Sequence, residues 1–406
     1  MRAPIDSSGR ITRRGFVRQS AAASFLVMAA PAALGSEANT RVKAGIIGLG
    51  GRGRMITSMV RDHGGFEIAA VADYFPELAQ EVGRQFGVPA ERCFSGLSGY
   101  QGVIGSGVEA VFLETPPYFF PEHARAAVEA GLHVYMAKPV AADVPGCLMI
   151  DAAAQGAAQK NRCFFVDYQM PTDPVNADVR QRIADGGLGK LAYVQTFGYG
   201  SGFQDPPKTD TVESRLRNLI WVNDVALGGD YIVNYDIHAI DAALWVIGRN
   251  PVAAAGASRI CRMEPHGDSR DVCSVVYDFE DGLVLNHAAV ALPNKNPGGL
   301  TCIAYGTEGH AQINYWGQAF VKGGAKETEG GTVDDLYNAG AIRNIATFHD
   351  DIIHQRHENP TVRRSVDGCL VTILGREAAA RRSRMTMDEL LKENKRLEVD
   401  LSGLRA

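Results

Sequence analysis

No Cys-x-x-Cys pair, no His-Glu-x-x-His, no internal repeat and no low-complexity tract occurs in the 406 residues. The seven cysteines (Cys93, Cys147, Cys163, Cys261, Cys273, Cys302, Cys369) are scattered, which argues for small buried hydrophobes rather than a zinc site or a disulfide framework. One pairing, such as Cys261 with Cys273, stays open. Excess positive charge is missing too. The net charge is −5 and the isoelectric point about 6.1, so there is no electrostatic footprint for nucleic acid. The stretch His349-Asp350-Asp351 with His354 and His357 mixes acidic and basic residues along a solvated helix, and no metal is expected there. The apolar stretch Ala21–Leu34 falls short of the roughly 20 residues that span a membrane.

That stretch is one step in an ordered succession. Thr12-Arg13-Arg14-Gly15-Phe16-Val17-Arg18 resembles the twin-arginine export motif, the apolar run follows, and small residues at Ala33–Gly35 offer a cleavage site. Residues 1–35 are expected to be a signal peptide, and the protein periplasmic, exported folded and free of the membrane after cleavage.

What the chain does have begins at Gly45-Ile-Ile-Gly-Leu-Gly-Gly-Arg-Gly53, a Gly-x-Gly-x-x-Gly fingerprint carried by Gly48, Gly50 and Gly53. A strand candidate, Val42–Ile47, precedes it. A helix-compatible stretch, Arg54–Asp62, follows, and a second apolar run, Phe66–Ala72, ends in Asp73. Glycines are needed here for a tight turn, for close approach of backbone to a pyrophosphate and for packing of helix on strand. Asp73, about 20 residues on, is placed to accept from an adenosine ribose. Gly48, Leu49, Gly50, Arg52, Gly53 and Asp73 are therefore read as cofactor contacts. A carboxylate repels a 2′-phosphate, and Tyr74-Phe75-Pro76 brings no base to neutralise one, so the expected cofactor is NAD. Outside the cytoplasm free NAD is scarce. Such an enzyme must hold its cofactor tightly and reset it within one cycle or with a second substrate.

Further along, Glu77–Phe86 reads as a helix, Val108–Glu114 as a buried parallel strand, His123–Ala130 as a helix closed by Gly131, His133–Met136 as a strand, Val144–Gln159 as a helix and Arg162–Val166 as a last strand. From Ala192 the pattern becomes antiparallel: Ala192–Phe197, Val272–Phe279, Leu283–Val290, Thr301–Tyr305 and Ala311–Tyr315, with Glu280-Asp281-Gly282 as a hairpin. Tyr231–Ile247 reads as one helix, Gly323–Gly331 as a loop, and Ile342–His357, Gly368–Arg382 and Met387–Leu397 as helices. The expected fold is an α/β Rossmann domain (36–170) followed by an α+β domain with an open, mostly antiparallel sheet (171–390) and a tail (391–406).

Several motifs together resemble the Gfo/Idh/MocA oxidoreductase family, which includes glucose–fructose oxidoreductase, inositol dehydrogenases and family 109 NAD-dependent glycosidases. They are the fingerprint, Thr115-Pro116-Pro117 with His123, Ala-Gly-Leu-His-Val-Tyr-Met-Ala-Lys-Pro at 130–139, Gly228-Gly229 through His238 and Asp241, and Gly-Arg-Glu-Ala-Ala-Ala at 375–380. The resemblance adds Thr115, Pro116 and His123 to the cofactor contacts. It implies that Lys138, also near the nicotinamide, binds the reacting hydroxyl and that His238 is the catalytic base, a role suited to a histidine near neutral pKa. Two departures stand out. Ala137 replaces the Glu of the family's Glu-Lys-Pro, and Asn234 replaces an Asp four residues before His238.

At about 100° per residue, Asn234, His238 and Asp241 share a helix face and Asp236 points away. A regular helix lets Asp241 support His238. A loop before the helix would instead let Asp236 turn into the site. Tyr168, Trp221 and Asp236 are candidate substrate contacts. Trp221, Asn223, Tyr199 and Tyr235 suit either a sugar-binding floor or core packing. Met170-Pro171, where basic residues are frequent in the family, argues against a substrate phosphate or carboxylate.

Three functions fit: an NAD-dependent oxidoreductase acting on a sugar, sugar derivative or cyclitol; an NAD-dependent glycosidase working by oxidation, elimination and reduction; and a non-catalytic sugar- or NAD-binding protein. The glycosidase lacks an identifiable acid for the leaving group. A homo-oligomer formed through the open sheet is expected.

Overall fold

The computed structural model describes residues 41–406. The twin-arginine motif and its cleavage region lie outside the described residues. Six parallel strands form the first sheet: β1 (Val42–Ile47), β2 (Phe66–Asp73), β3 (Cys93–Ser95), β4 (Ala110–Leu113), β5 (His133–Ala137) and β6 (Phe164–Asp167). Their order is β3-β2-β1-β4-β5-β6. Every residue of β4, β5 and β6 is buried, as expected of apolar strands covered on both faces. The covering helices are α1 (Gly51–His63), α2 (Pro76–Phe86), α3 (Gly99–Ile104), α4 (Phe120–Glu129) and α5 (Val144–Gln159). Strand order reverses between β1 and β4, and there the fingerprint turn and Thr115 face each other across the carboxyl edge.

The second sheet has nine strands: β7 (Leu191–Gly200), β8 (Ala253–Arg259), β9 (Val272–Asp278), β10 (Val284–Ala291), β11 (Gly299–Gly306), β12 (Gly309–Asn314), β13 (Gly317–Gly323), β14 (Thr328–Val333) and β15 (Met385–Thr386). All pairings are antiparallel except β7 with β10. Strict alternation along β10 buries Leu285, His287, Ala289 and Ala291 and leaves the other face half open. On the buried face lie α6 (Pro174–Ala184), α9 (Ile237–Ile247) and α11 (Thr361–Arg381), with the short α7 (Val225–Gly228) and α8 (Tyr231–Asn234) leading into α9; α10 (Leu336–Ile353) and α12 (Met387–Glu393) are the other α-helices among the described residues.

Two expectations change. The stretch 323–331 is mostly a β13–β14 hairpin rather than a loop, because its Gly-rich, solvent-facing residues carry no alternation to read. The helix 231–247 breaks at Tyr235-Asp236, with Asp236 capping α9. The cysteines agree with the reading as small hydrophobes without a disulfide framework: all seven are free, and the pairing left open between Cys261 and Cys273 does not form.

Helix α10 crosses back to the first sheet. Phe348, fully buried, packs among Phe66, Phe112, Tyr135 and Phe165 with ring centroids 5.5–6.3 Å away. Phe348→Ala should cost about 3–5 kcal/mol of unfolding free energy through cavity formation. Ile342→Ala on the same helix, where the side chain is exposed, should stay within about 0.5 kcal/mol. Guanidinium unfolding followed by circular dichroism measures both.

Candidate functional site

A cleft of about 580 Å³ runs along the carboxyl edge of the first sheet and is roofed by the second. Its floor is the fingerprint turn. Gly48 has φ +96°, and a Cβ there would meet Glu114 backbone at 2.6 Å; a Cβ on Gly53 would run into the Gly48 carbonyl. Gly50 and Gly51, by contrast, face open space. The α1 N-terminus has no side-chain cap, so its first N–H groups point free into the cleft. Asp73 accepts from Leu49 N at 2.7 Å and Phe75 N at 2.9 Å, and burial pushes its carboxyl up against those bonds. Cradle, free N–H groups and anchored carboxylate fit a dinucleotide.

Arg52 leaves the turn and pairs with Asp167 at the end of β6 and with Glu114 just past β4, at 3.3 Å for Glu114. Asn344 of α10 donates to Asp167 at 2.6 Å, and the Arg52 guanidinium lies 5.1 Å from the Tyr337 ring centroid. Burial pushes the Glu114 carboxyl up to about 8, with Arg52 opposing. Thr115 and Pro116 line the cleft, the Thr115 hydroxyl without a partner. His123 lies deeper, stacked on Tyr100 at 4.2 Å and lowered to about 3 by burial, hence neutral.

Lys138, one residue beyond β5, donates from Nζ to the Asn234 backbone carbonyl at 2.6 Å. Burial, seconded by Arg52, lowers it to about 7. The carboxyl groups that act on it are Asp167 and Glu114, from the strands on either side, and then Asp236, in place of one at Ala137. His238 enters from the first turn of α9. It packs edge-on to Tyr315 at 4.8 Å, its Nδ1 is buried without a partner, and burial holds its pKa well below the usual imidazole range.

Neither acidic neighbour reaches His238. Asp241 is gripped by Arg364 of α11 through two 2.7 Å bonds, and Asp236 lies 3.3 Å from His287 Nε2 of β10. The helix break sends Asp236 toward the sheet, into the space left by Gly198. Asp236 and Tyr168 therefore drop out as substrate contacts: neither lines the cleft, and Tyr168 is buried behind His238. Tyr199 is also off the cleft, and Asn223 braces its own loop by donating to Gln204 O at 2.9 Å. Trp221, Tyr235 and Asn234 do line it.

Sequence reasoning passed over Tyr315, Trp316, Tyr337 and Arg217, all on the cleft wall, where Gln169, the neighbour of Tyr168, joins them. Tyr315 donates to Gln169 Oε1 at 3.0 Å beside His238. No motif spacing marks these residues, because they arrive from strand ends and connections distant in sequence.

Comparison with known proteins agrees with this geometry. A family model described as an oxidoreductase family with an NAD-binding Rossmann fold matches residues 42–168, and the GFO/IDH/MocA C-terminal domain matches 176–312. Inositol 2-dehydrogenase of Rhizobium meliloti is 24% identical over 58% of this chain and 63% of its own length. A 2,7-anhydro-N-acetylneuraminate hydratase of Mediterraneibacter gnavus is 24% identical over 58% of each. The chain thus spans about three fifths of these relatives. The aldose-aldose oxidoreductase of Caulobacter crescentus superposes with a TM-score of 0.69 at 20% identity, covering 85% of this chain and 99% of that one. With two matched domains spanning well over half its length, this chain belongs to the Gfo/Idh/MocA oxidoreductase family, and its first domain is an NAD-binding Rossmann domain.

Proposed function

We propose that this protein moves hydride between a secondary alcohol of a sugar, sugar derivative or cyclitol and a tightly held nicotinamide. The observation that carries the proposal is the meeting of Lys138 and His238 in one cleft above the fingerprint turn. Bound NAD supplies the hydride acceptor or donor; the rest of the chemistry falls to the chain. Lys138, fixed by the Asn234 carbonyl, holds the reacting oxygen. His238 is neutral, so its imidazole can take the hydroxyl proton as the C–H bond breaks. The Arg52 cluster keeps cations near both groups and biases them toward their uncharged forms. Trp221, Tyr235 and Trp316 give the apolar faces that a ring offers for stacking.

A second reading has one observation in its favour: a relative is named a hydratase of an anhydro-sugar. Elimination or addition at a carbon next to the oxidised one needs a proton donor for the departing oxygen. Glu114 lines the cleft and burial pushes its carboxyl up to about 8, but it is paired with Arg52 at 3.3 Å rather than free to serve a departing oxygen. Net oxidation is therefore preferred. We also propose that the twin-arginine leader at 1–35 carries the protein folded to the periplasm, and that copies assemble through the open face of the second sheet, where Val276 and Tyr305 are exposed.

Lys138→Ala and His238→Ala should each lower turnover about 10²–10⁴-fold while NADH binding, read by fluorescence titration, changes little. In the wild type, kcat/KM for alcohol oxidation should fall as pH rises through about 7, where Lys138 loses the charge with which it holds the reacting oxygen. That inflection should vanish in Lys138→Arg, whose charge persists. Aryl glycosides incubated with the holo-protein in deuterated water separate the two readings. A stable keto-sugar is expected; aglycone release with deuterium incorporation and no keto product would replace the leading function with the eliminative one.

A further inference from the structure

Asp73 closes β2 and marks the ribose end of the cleft, so the adenine ring lies beyond it, between the β2–α2 and β3–α3 connections. Tyr74, Phe75, Leu78, Gly96, Leu97 and Tyr100 line that end. All belong to the Rossmann domain, yet two segments from elsewhere in the chain close over them.

The first is the connection after β7. Its base is rigid: Arg215, fully buried, bonds Asp205 at 2.6 Å and Asp224 at 2.5 Å, while Arg262 ties Asp205 to Asp271. Two residues on, Arg217 swings out over the first domain. Its guanidinium carbon sits 3.4 Å from the Phe75 ring centroid, and it is ion-paired with Glu77. Asn218 and Leu219 both take left-handed backbone, at φ 52° and 62°, and turn the tip back so that Trp221 reaches the other end of the same cleft. The second is the segment 394–406. It is anchored by Leu397 N on Asp143 (2.8 Å), accepts Leu97 N through the Arg405 carbonyl (3.0 Å), and donates Arg405 N to the Tyr74 hydroxyl (3.2 Å). Gly403 lies where a Cβ would meet Thr211 of the first connection at 3.1 Å, and a Cβ on Gly96 would run into Ala406.

We propose that Arg217 is an adenosine-binding residue contributed by the second domain, and that segment 394–406 holds the wall against which it works. The role rests on the NAD assignment and deepens it. A guanidinium stacks on adenine as it does on Phe75. Glu77 neutralises its charge, so it presents a flat face rather than an isolated cation that would attract a 2′-phosphate. Its side chain is 43% exposed, and an ion pair that open to solvent adds little to folding, whereas a residue stacked on a ligand slows the ligand's release.

The test is the dissociation rate of NADH from the purified full-length protein, followed by loss of NADH fluorescence on chasing with excess NAD. Arg217→Ala and Arg217→Lys should both release NADH about tenfold faster, with apo-protein melting unchanged; Lys keeps the charge and loses the plane. A chain stopped after Glu393 should release it faster as well. Release within twofold of wild type in both Arg217 variants overturns the proposal. Wild-type protein that binds no NADH at all would instead overturn the cofactor assignment beneath it, an outcome read before any variant is made.

Discussion

Arg52 is the group through which the rest of the site is assembled. It belongs to the phosphate-binding turn by sequence, but its guanidinium is pinned between carboxylates at the ends of two strands, and one of those carboxylates is in turn held by Asn344. Turn, sheet edge and returning helix α10 thus share one buried network of charge. Breaking a single member would leave an uncompensated buried ion, which is far more costly than never having placed one there. The same cation acts at a distance on Lys138 and His238: their depressed proton affinities arise first from burial, then from Arg52 for Lys138, and from Lys138 and Arg52 for His238. The loss of a carboxylate at Ala137 is offset here. The carboxyl groups that act on Lys138 stand at the ends of the two strands beside its own, as Asp167 and Glu114, with Asp236 behind them.

The support that His238 lacks is as informative as the contacts it makes. Asp241 and Asp236, either of which sequence spacing could assign to it, serve the architecture. One clamps α9 to α11 through Arg364, and the other joins the start of α9 to β10 through His287, which also meets Thr196 at 3.0 Å. Both fix the position of the helix without charging the imidazole. A histidine with no carboxylate behind it stays a weak base, suited to accept a proton only as hydride departs.

Much of the first domain was legible because its strands are short, mostly apolar and punctuated by glycine. Val42–Ile47 and Val144–Gln159 fall where the pattern puts them. The fingerprint and Asp73 were legible for the same reason: their chemistry depends on backbone approach, which only glycine permits. The second domain was read less well. Its sheet is half exposed, so β8 and β14 show little alternation, and the break at Tyr235-Asp236 interrupts a run that is buried almost throughout and so carries no amphipathic signal. Helical geometry placed Asn234, His238 and Asp241 on one face, but the break separates Asn234 from the helix of His238, and angular position says nothing of a competing arginine 123 residues later that takes Asp241. Arg217, Tyr315 and Tyr337 were invisible on principle, since nothing local in the sequence ties them to the turn they face.

The path of α10 bears on how this molecule can exchange what it binds. Two-domain enzymes commonly admit a cofactor by swinging open about a hinge. Here the second sheet is followed by a helix whose Phe348 is buried in the aromatic core of the first. Opening the domains as rigid bodies would pull that ring out of its cluster, a step close to unfolding in cost. Passage in and out of the cleft must then rely on small local excursions of connections at its rim, and the timescale of exchange is set by loops rather than by domains.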